Sequence, residues 1–497
     1  MTESLHTNYQ IRWKNYRRFE DTDWITLKPL TILIGANNGG KSSILSPLLL
    51  LAQTLTSDDA EVPLLPYGPL IDLGKYKDFV HLHDAARELF LGLRFHVHER
   101  KPKTKLKPVG AYPPGGMELT LSSGAKPEEI KLKRVEVTDI YNRLFFSRSA
   151  NEKGFSLEGV ISLDAMEPGE RKALGSDEPM NFLFSPNDVF HQLDKQGNED
   201  KAATSTGFSK EFSHYLRAVG YTYSGIRTLF AKLSYVGPLR AKLQRFYRVS
   251  PELPDTVGSQ GEHAANLFRR RSDDLKVDID SWVKRFEFGE ELRYISLTDD
   301  LFQLVFKSET EETNVADAGF GASQVLPLII QAVVAPHDSL TIAEQPEIHL
   351  NPRLQCVLAD LFVQMATSGH RVIVETHSEH LIVRLRRLIA EGKISTDLVN
   401  LLFVEKESGV STIREIHIQE NGNIERDAWP TGFFDDGLRE ALGLATAQSK
   451  QPPEHKRHKK PKSGASDISG ETPKLVNAQD QQSQKRKTPG RKSNAIS

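Results

Sequence analysis

Residues 35–42 read Gly-Ala-Asn-Asn-Gly-Gly-Lys-Ser, glycines at fixed spacing ahead of a lysine and a hydroxyl. Chemistry of that type suits a phosphate chain. Glycines allow successive backbone N–H groups to turn inward, and the helix that follows adds its positive end. Lys41 is spaced to reach the two outer phosphates, and Ser42 to ligand Mg²⁺ through its hydroxyl. All eight residues, Gly35, Ala36, Asn37, Asn38, Gly39, Gly40, Lys41 and Ser42, are therefore assigned to nucleotide binding.

A phosphate loop does not say which machine it drives, and the later motifs narrow the choice. Ser-Leu-Thr-Ile-Ala-Glu (339–344) is an apolar strand ending in acid, so Glu344 is the candidate for organising Mg²⁺ with Ser42. A second apolar strand, Val-Ile-Val-Glu-Thr-His-Ser (372–378), delivers His377 toward the outermost phosphate. Ahead of the acidic strand, Asp-Ala-Gly-Phe-Gly-Ala-Ser-Gln (317–324) opens a helix with small residues. Gly321, Ser323 and Gln324 could grip phosphate there, and their sequence distance from the loop suggests the nucleotide of a second subunit. The plainer alternative is a glycine-rich turn that caps a core helix. His349 and His380 have no companion ligands at metal-binding spacing and read as polar rim residues.

These residues need elements to hold them. Residues 9–34 alternate as strands do and end in the apolar run Leu-Thr-Ile-Leu-Ile-Gly; a helix is expected from Lys41. Residues 88–170 hold several period-two stretches, and helical periodicity follows in 210–232 and 263–286. After Asn314 the pattern is helix, strand, helix, strand, which indicates an α/β layer with a mainly parallel sheet. The expected fold class is α/β: a P-loop head with a mixed sheet, a strand-rich then helical insertion, and a disordered basic tail. The boundaries drawn are 1–87 and 231–447 for the two parts of the head, 88–230 for the insertion, and 448–497 for the tail.

Composition bounds the rest. The chain has 497 residues, enough for two to three domains, and its one cysteine, Cys356, leaves no disulfide framework. The longest apolar runs are about half of a membrane span, and the start lacks a secretory layout, so a cytoplasmic protein with no membrane partner is expected. The formal charge of -2 hides a basic tail: from Gln448 there are twelve Lys and Arg against four Asp and Glu, and no aromatic residue. Such a segment cannot bury enough surface to fold, and its charge permits non-specific nucleic-acid contact. Asp435 and Asp436 read as a helix start, and Trp429, Phe433 and Phe434 as packing, with partner docking the alternative.

The order GANNGGKS, GFGASQ, TIAEQPEIHL, VETHSEHL resembles ABC-type ATPases of the structural-maintenance-of-chromosomes and RecF branch. In that branch ATP is sandwiched between two heads, and a basic residue ahead of the P-loop contacts phosphate; Arg17 or Arg18 stands at that place. YVGPLRAKLQRFY (235–247), ADAGFGASQVLPLIIQ (316–331) and WPTGFFDDGLREAL (429–442) look like a bacterial subgroup of AAA-class ATPases with a short C-terminal domain of uncharacterised function. That subgroup includes the ATPase subunits of Septu-type anti-phage systems, some attached to retrons. The resemblance covers roughly residues 8–80 and 230–445. It implies ATP and Mg²⁺ as cofactors, a homodimer or higher oligomer, and an HNH-type nuclease partner encoded nearby. The alternative is a DNA repair or chromosome-associated RecF-like ATPase that binds DNA directly.

Two departures from that pattern matter. The acid of the strand is followed in the family by a glutamate that polarises water, and here Gln345 holds its place. An amide can orient water but cannot take its proton. Either hydrolysis is slow and ATP acts as a clamp, or Glu347, Glu375 or His377 supplies the missing role. The signature-like stretch differs too, with Gly319, Gly321, Ser323 and Gln324 sharing its task in another order.

Overall fold

The computed structural model describes residues 9–425 apart from 58–61, 96–112, 127–128, 152–153, 162, 175–181, 183–207, 253 and 408, together with 443 and 446. Expectations for the basic tail, for Trp429, Phe433 and Phe434, and for Asp435 and Asp436 lie outside the described residues. The chain divides into two units, Met1–Gly437 and Leu438–Ser497, and the fold below is that of the first.

Its centre is a six-stranded sheet. The strand that leads into the glycine-rich loop, β4 (Leu30–Gly35), lies between β16 (Arg371–Glu375) and β17 (Val399–Glu407). Outward from β16 come β15 (Leu340–Glu344) and β10 (Leu233–Val236); outward from β17 comes β18 (Val410–Ile416). Every pairing is parallel except the β17–β18 hairpin at one edge. Parallel strands are covered on both faces, and the alternation along β4 shows it. Leu30, Ile32 and Ile34 enter one hydrophobic core while Leu33 enters the other. Ala343 and Val374 share a core with Ile32; Ile342 and Ile373 share one with Leu33. The sheet is thus the middle of three layers.

Helix Lys41–Leu55 covers the Leu33 face and buries Ile44, Leu45, Leu48, Leu49, Leu50 and Leu51. Each such side chain, taken from water, stabilises the fold by about 1.5–3 kcal/mol. The same core is closed by a sheet whose strands run β2 (Phe19–Asp21), β1 (Tyr9–Tyr16), β5 (Leu89–Arg94), β6 (Pro114–Ser123), β7 (Ile130–Asp139), β8 (Leu144–Asn151) and β9 (Gly154–Gly159), with β3 (Ile25–Leu27) paired to β1. Strands from the segment after residue 88 therefore extend a sheet begun by the first strand of the chain. They are joined there because β5 pairs β1 antiparallel from Gln10–Arg94 to Lys14–Phe90. Helix Lys210–Ala231 packs Ile226, Leu229 and Phe230 into this core, and Phe212 and Tyr215 into a smaller one beneath β7–β9.

The opposite face is covered by helices Phe320–Val334, Pro352–Thr367 and Glu379–Ala390. Helix Ala264–Arg285 continues that core onto a third sheet, where β13 (Leu301–Lys307) pairs with β11 (Tyr247–Arg248), β12 (Glu291–Ser296) and β14 (Glu312–Asn314). Asn351 and Ser378 cap the two later helices through side-chain oxygens that accept Leu354 and Leu381 N–H groups. No helix among the described residues is long and apolar enough to cross a membrane.

Candidate functional site

All the motif ends converge at the carboxyl edge of the parallel strands, where open α/β sheets place their ligands. Gly35 ends β4 at φ 145°, and a side chain there would overlap the Val404 carbonyl on β17. Gly40 enters the helix at φ 107°. Glycine alone takes both positions without strain. The turn between is pinned by Gly39 N–H donating to Ala36 O at 3.1 Å, and by Ser411 Oγ, which donates to Gly39 O at 2.7 Å. Ala36, Asn37 and Asn38 are exposed. The helix has no side-chain cap at its N-terminus and no acid in its first turn, so its free N–H groups and positive end suit an anion. The buried Lys41 ammonium donates to Gly35 O and Ala36 O, each at 3.0 Å. Burial holds its pKa below the usual lysine range, opposed by the charges of Glu375 and Glu347.

Opposite the loop stand three carboxylates. Because β16 separates β4 from β15, the side chain that meets Ser42 is Glu375: the serine hydroxyl donates to its Oε2 at 2.8 Å. Glu344 is Glu375's register partner on β15, and it accepts the Tyr235 hydroxyl at 3.2 Å. Glu347, 8% exposed, takes the His377 backbone N–H at 2.6 Å. Burial pushes all three acids up, Glu344 to about 7 with the charge of Glu375 adding to the effect. Loss of water is what raises them, and a cation held here would relieve it. His377 is half-buried, and burial, with Lys41 second, lowers its pKa, so it presents a neutral ring near pH 7.

Gln345 follows at φ 44°, a left-handed conformation fixed by its N–H on Glu375 O at 2.7 Å. Arg240, 5% exposed, donates to Glu344 O at 2.8 Å and to Gln324 Oε1 at 3.3 Å. The start of helix Phe320–Val334 presents two kinds of residue. Gly319 and Phe320 are exposed and Gly321 is half-buried, with the Phe320 ring edge-on to His349 at 4.6 Å. Ser323 and Gln324 are buried in their own subunit, Ser323 Oγ accepting Leu243 N–H at 3.3 Å. The outward face of this turn is therefore Gly319–Gly321, with Ser323 and Gln324 beneath it. Arg17 is half-buried and close enough for its charge to lower Glu344; Arg18 is exposed.

The loop, Glu344, Gln345 and His377 are thus brought to one edge, together with Glu375. Among the described residues no three His, Cys, Asp or Glu side chains form a metal cage. Mg²⁺ does not need one, since it takes one or two protein ligands beside phosphate oxygens and water. Sequence reasoning missed Tyr235, Arg240 and Ser411. A lone arginine within Tyr-Val-Gly-Pro-Leu-Arg was the one available signal, because a charge so close to an apolar strand must find buried acceptors.

A family profile described as AAA ATPase domain matches residues 9–151 and 248–382. A second, described as a protein of unknown function (DUF3696), matches residues 394–444. Among solved structures, the chain is similar to an Smc head bound to the C-winged helix domain of ScpA, at 14% identity, covering 83% of this chain and 98% of that one, TM-score 0.37. It is similar to an Smc head with an extended coiled coil bound to the C-terminal domain of ScpA from Pyrococcus furiosus, at 11% identity, 89% and 100% coverage, TM-score 0.35. The SMC head domain from Thermotoga maritima gives 11%, 82% and 99%, TM-score 0.33. No curated protein matches. The site's own geometry, not these distant likenesses, carries the functional reading.

Proposed function

The chain belongs to the AAA ATPase domain family, which spans more than half of its length, and from that premise we propose how its residues bind and turn over ATP. The loop Gly35–Ser42 holds the phosphates through backbone N–H groups. Lys41, which donates to two loop carbonyls, exchanges them for phosphate oxygens, which are stronger acceptors because they are charged. Ser42 and Glu344 would hold Mg²⁺, with Glu375 orienting the serine hydroxyl. When bound, the metal neutralises charge on the outer phosphates and polarises them toward attack. Gln345 orients water, and neutral His377 offers a hydrogen bond at the outermost phosphate. The observation that carries this reading is geometric: the Ser42 hydroxyl donates to Glu375, the charges of Glu375 and Glu347 act on Lys41, and Glu344 lies beside Glu375 in register on the next strand. Isothermal titration of the purified chain with ATP and Mg²⁺ tests it; affinity without Mg²⁺ equal to affinity with it would count against it.

The finer proposal follows the segments quoted above. Two copies close on ATP, each offering the Gly319–Gly321 face to the other's nucleotide, and the closed pair controls a nuclease partner in anti-phage defence. The exposure of Gly319 and Phe320 supports an encounter at that face. Co-purification with the products of neighbouring genes, and infection assays with Lys41→Ala, test the partner and the role. A RecF-like ATPase that holds DNA directly is the second reading, favoured by the basic composition of residues 448–497. Steep salt-dependent DNA binding, lost on removing those residues and needed in cells, would put it first.

A further inference from the structure

Arg240 is a buried cation without a carboxylate in ion-pair range among the described residues. Its acceptors are neutral: Glu344 O at 2.8 Å, Gln324 Oε1 at 3.3 Å and Gln345 O at the 3.5 Å limit. The charges of Glu347 and Glu344 act on it from beyond ion-pair distance, yet burying a permanent charge whose hydrogen bonds all go to neutral acceptors is costly, and a packing role would be met by an apolar side chain. Its surroundings are two-sided. On one side the segment Tyr235–Arg240 grips the end of β15, with the Tyr235 hydroxyl on the Glu344 carboxylate and the Arg240 guanidinium on the Glu344 carbonyl. On the other, residues 240–245 hold the first turn of helix Phe320–Val334 and the residues just before it. Arg240 bonds Gln324, Leu243 N–H donates to Ser323 Oγ, and Arg245 Nη1 donates to Asp317 Oδ2 at 2.9 Å.

We propose that Arg240 is a positioning residue tying the start of helix Phe320–Val334 to the Glu344–Gln345 turn, so that the helix start sets the presentation of Gln345. The juxtaposition is one planar guanidinium shared by Gln324 Oε1 and the Glu344 carbonyl. Arginine fits this task better than lysine because its donors are fixed in a rigid fork and report a shift of one acceptor to the other. Gln345 is a sensitive receiver, since its left-handed φ of 44° is held by neighbours rather than by its own preference. The proposal rests on the ATPase reading.

A double-variant cycle tests it in the full-length chain, using Arg240→Lys, Arg240→Met, Gln324→Ala and the Arg240→Lys/Gln324→Ala pair. Turnover and the Kd of a fluorescent, non-hydrolysable ATP analogue are read for each. Nucleotide Kd should stay within about twofold of the parent while kcat falls about tenfold in Arg240→Met and is partly restored in Arg240→Lys. The paired variant should lose no more than the worse single, departing from the product of the two losses by roughly fivefold. Should Arg240→Met fail to fold, the cycle through Arg240→Lys reads the same coupling. Losses that multiply, or nucleotide affinity and kcat falling together with the melting temperature, would overturn the proposal while leaving the ATPase reading in place. A parent chain that bound no nucleotide would remove both.

Discussion

The hydroxyl of Ser42 donates to Glu375 Oε2 at 2.8 Å, a contact between residues 333 apart in sequence. It exists because β16, not the acidic strand β15, is the neighbour of the P-loop strand. The first carboxylate the loop meets therefore belongs to the strand that also delivers His377, and Glu344 stands one strand further out. In the proposed function, nucleotide, metal and water meet across that short row of acids.

Lys41 is first. Its ammonium donates to two neutral carbonyls of its own loop. Lys41→Ala removes the bonds to phosphate without disturbing a side-chain ion pair, and ATP affinity should weaken by roughly tenfold to hundredfold, the worth of one or two charge-assisted bonds. Circular dichroism should be unchanged. Subunit pairing that depends on ATP, followed by light scattering, should vanish with it.

The loop's shape is the second test. Gly35→Ala places a methyl group against the Val404 carbonyl, on backbone at φ 145°. Strain and overlap together should cost about 2–4 kcal/mol, and the loop should lose its phosphate-binding form as β4 and β17 move apart. A melting temperature equal to the parent's would show that β17 yields at no cost.

How much of this was legible in the sequence depends on range. The loop, the acidic strand and the histidine strand each announce themselves locally, through apolar runs of strand length ending at a chemically distinctive residue, and all three occupy the sheet as β4, β15 and β16. The pairing order is not local. Nothing in Val-Ile-Val-Glu-Thr-His says that it will insert between the other two, so the Ser42–Glu375 contact could not be read in advance. The same holds for Ser323 and Gln324. A turn of small residues at a helix start looks available, yet one side of that turn is covered by residues 240–243, from a segment about 80 positions away. The union of β1 with β5–β9 was hidden for a related reason, since antiparallel pairing between strands with other strands and a helix between them in the chain leaves no periodic trace.

Acidity gives the third prediction. Burial, with the charge of Glu375, pushes the Glu344 carboxyl up to about 7 in the folded chain, whereas an unfolded glutamate releases its proton at about 4.3. Between those values the folded state holds the additional proton, so stability is fully present below the lower value and is lost as pH rises through the upper one. In EDTA the melting temperature should fall between pH 5 and 7.5 by about one to three degrees on this account. Glu344→Gln should flatten that slope, while a slope unchanged in Glu344→Gln would place the buried proton elsewhere.

In the proposed mechanism Gln345 sets how fast ATP is turned over, not whether it binds. Its backbone is already fixed on both sides, by Glu375 O on its N–H and by Arg240 at the preceding carbonyl. An amide there can align water but leaves the departing proton without an acceptor, whereas a carboxylate of nearly the same shape supplies one. Gln345→Glu should therefore raise single-turnover hydrolysis by roughly a hundredfold, the usual worth of a positioned base, with nucleotide affinity little changed. The ATP-bound pair of the proposed function should shorten its lifetime in proportion, since loss of the outermost phosphate removes what the two copies would share. If turnover instead fell, the added charge would be repelling its three acidic neighbours more than it helped the water. Glu347, Glu375 or His377 would then be the group already taking the proton, and the variant among Glu347→Gln, Glu375→Gln and His377→Ala with the steepest loss would name it.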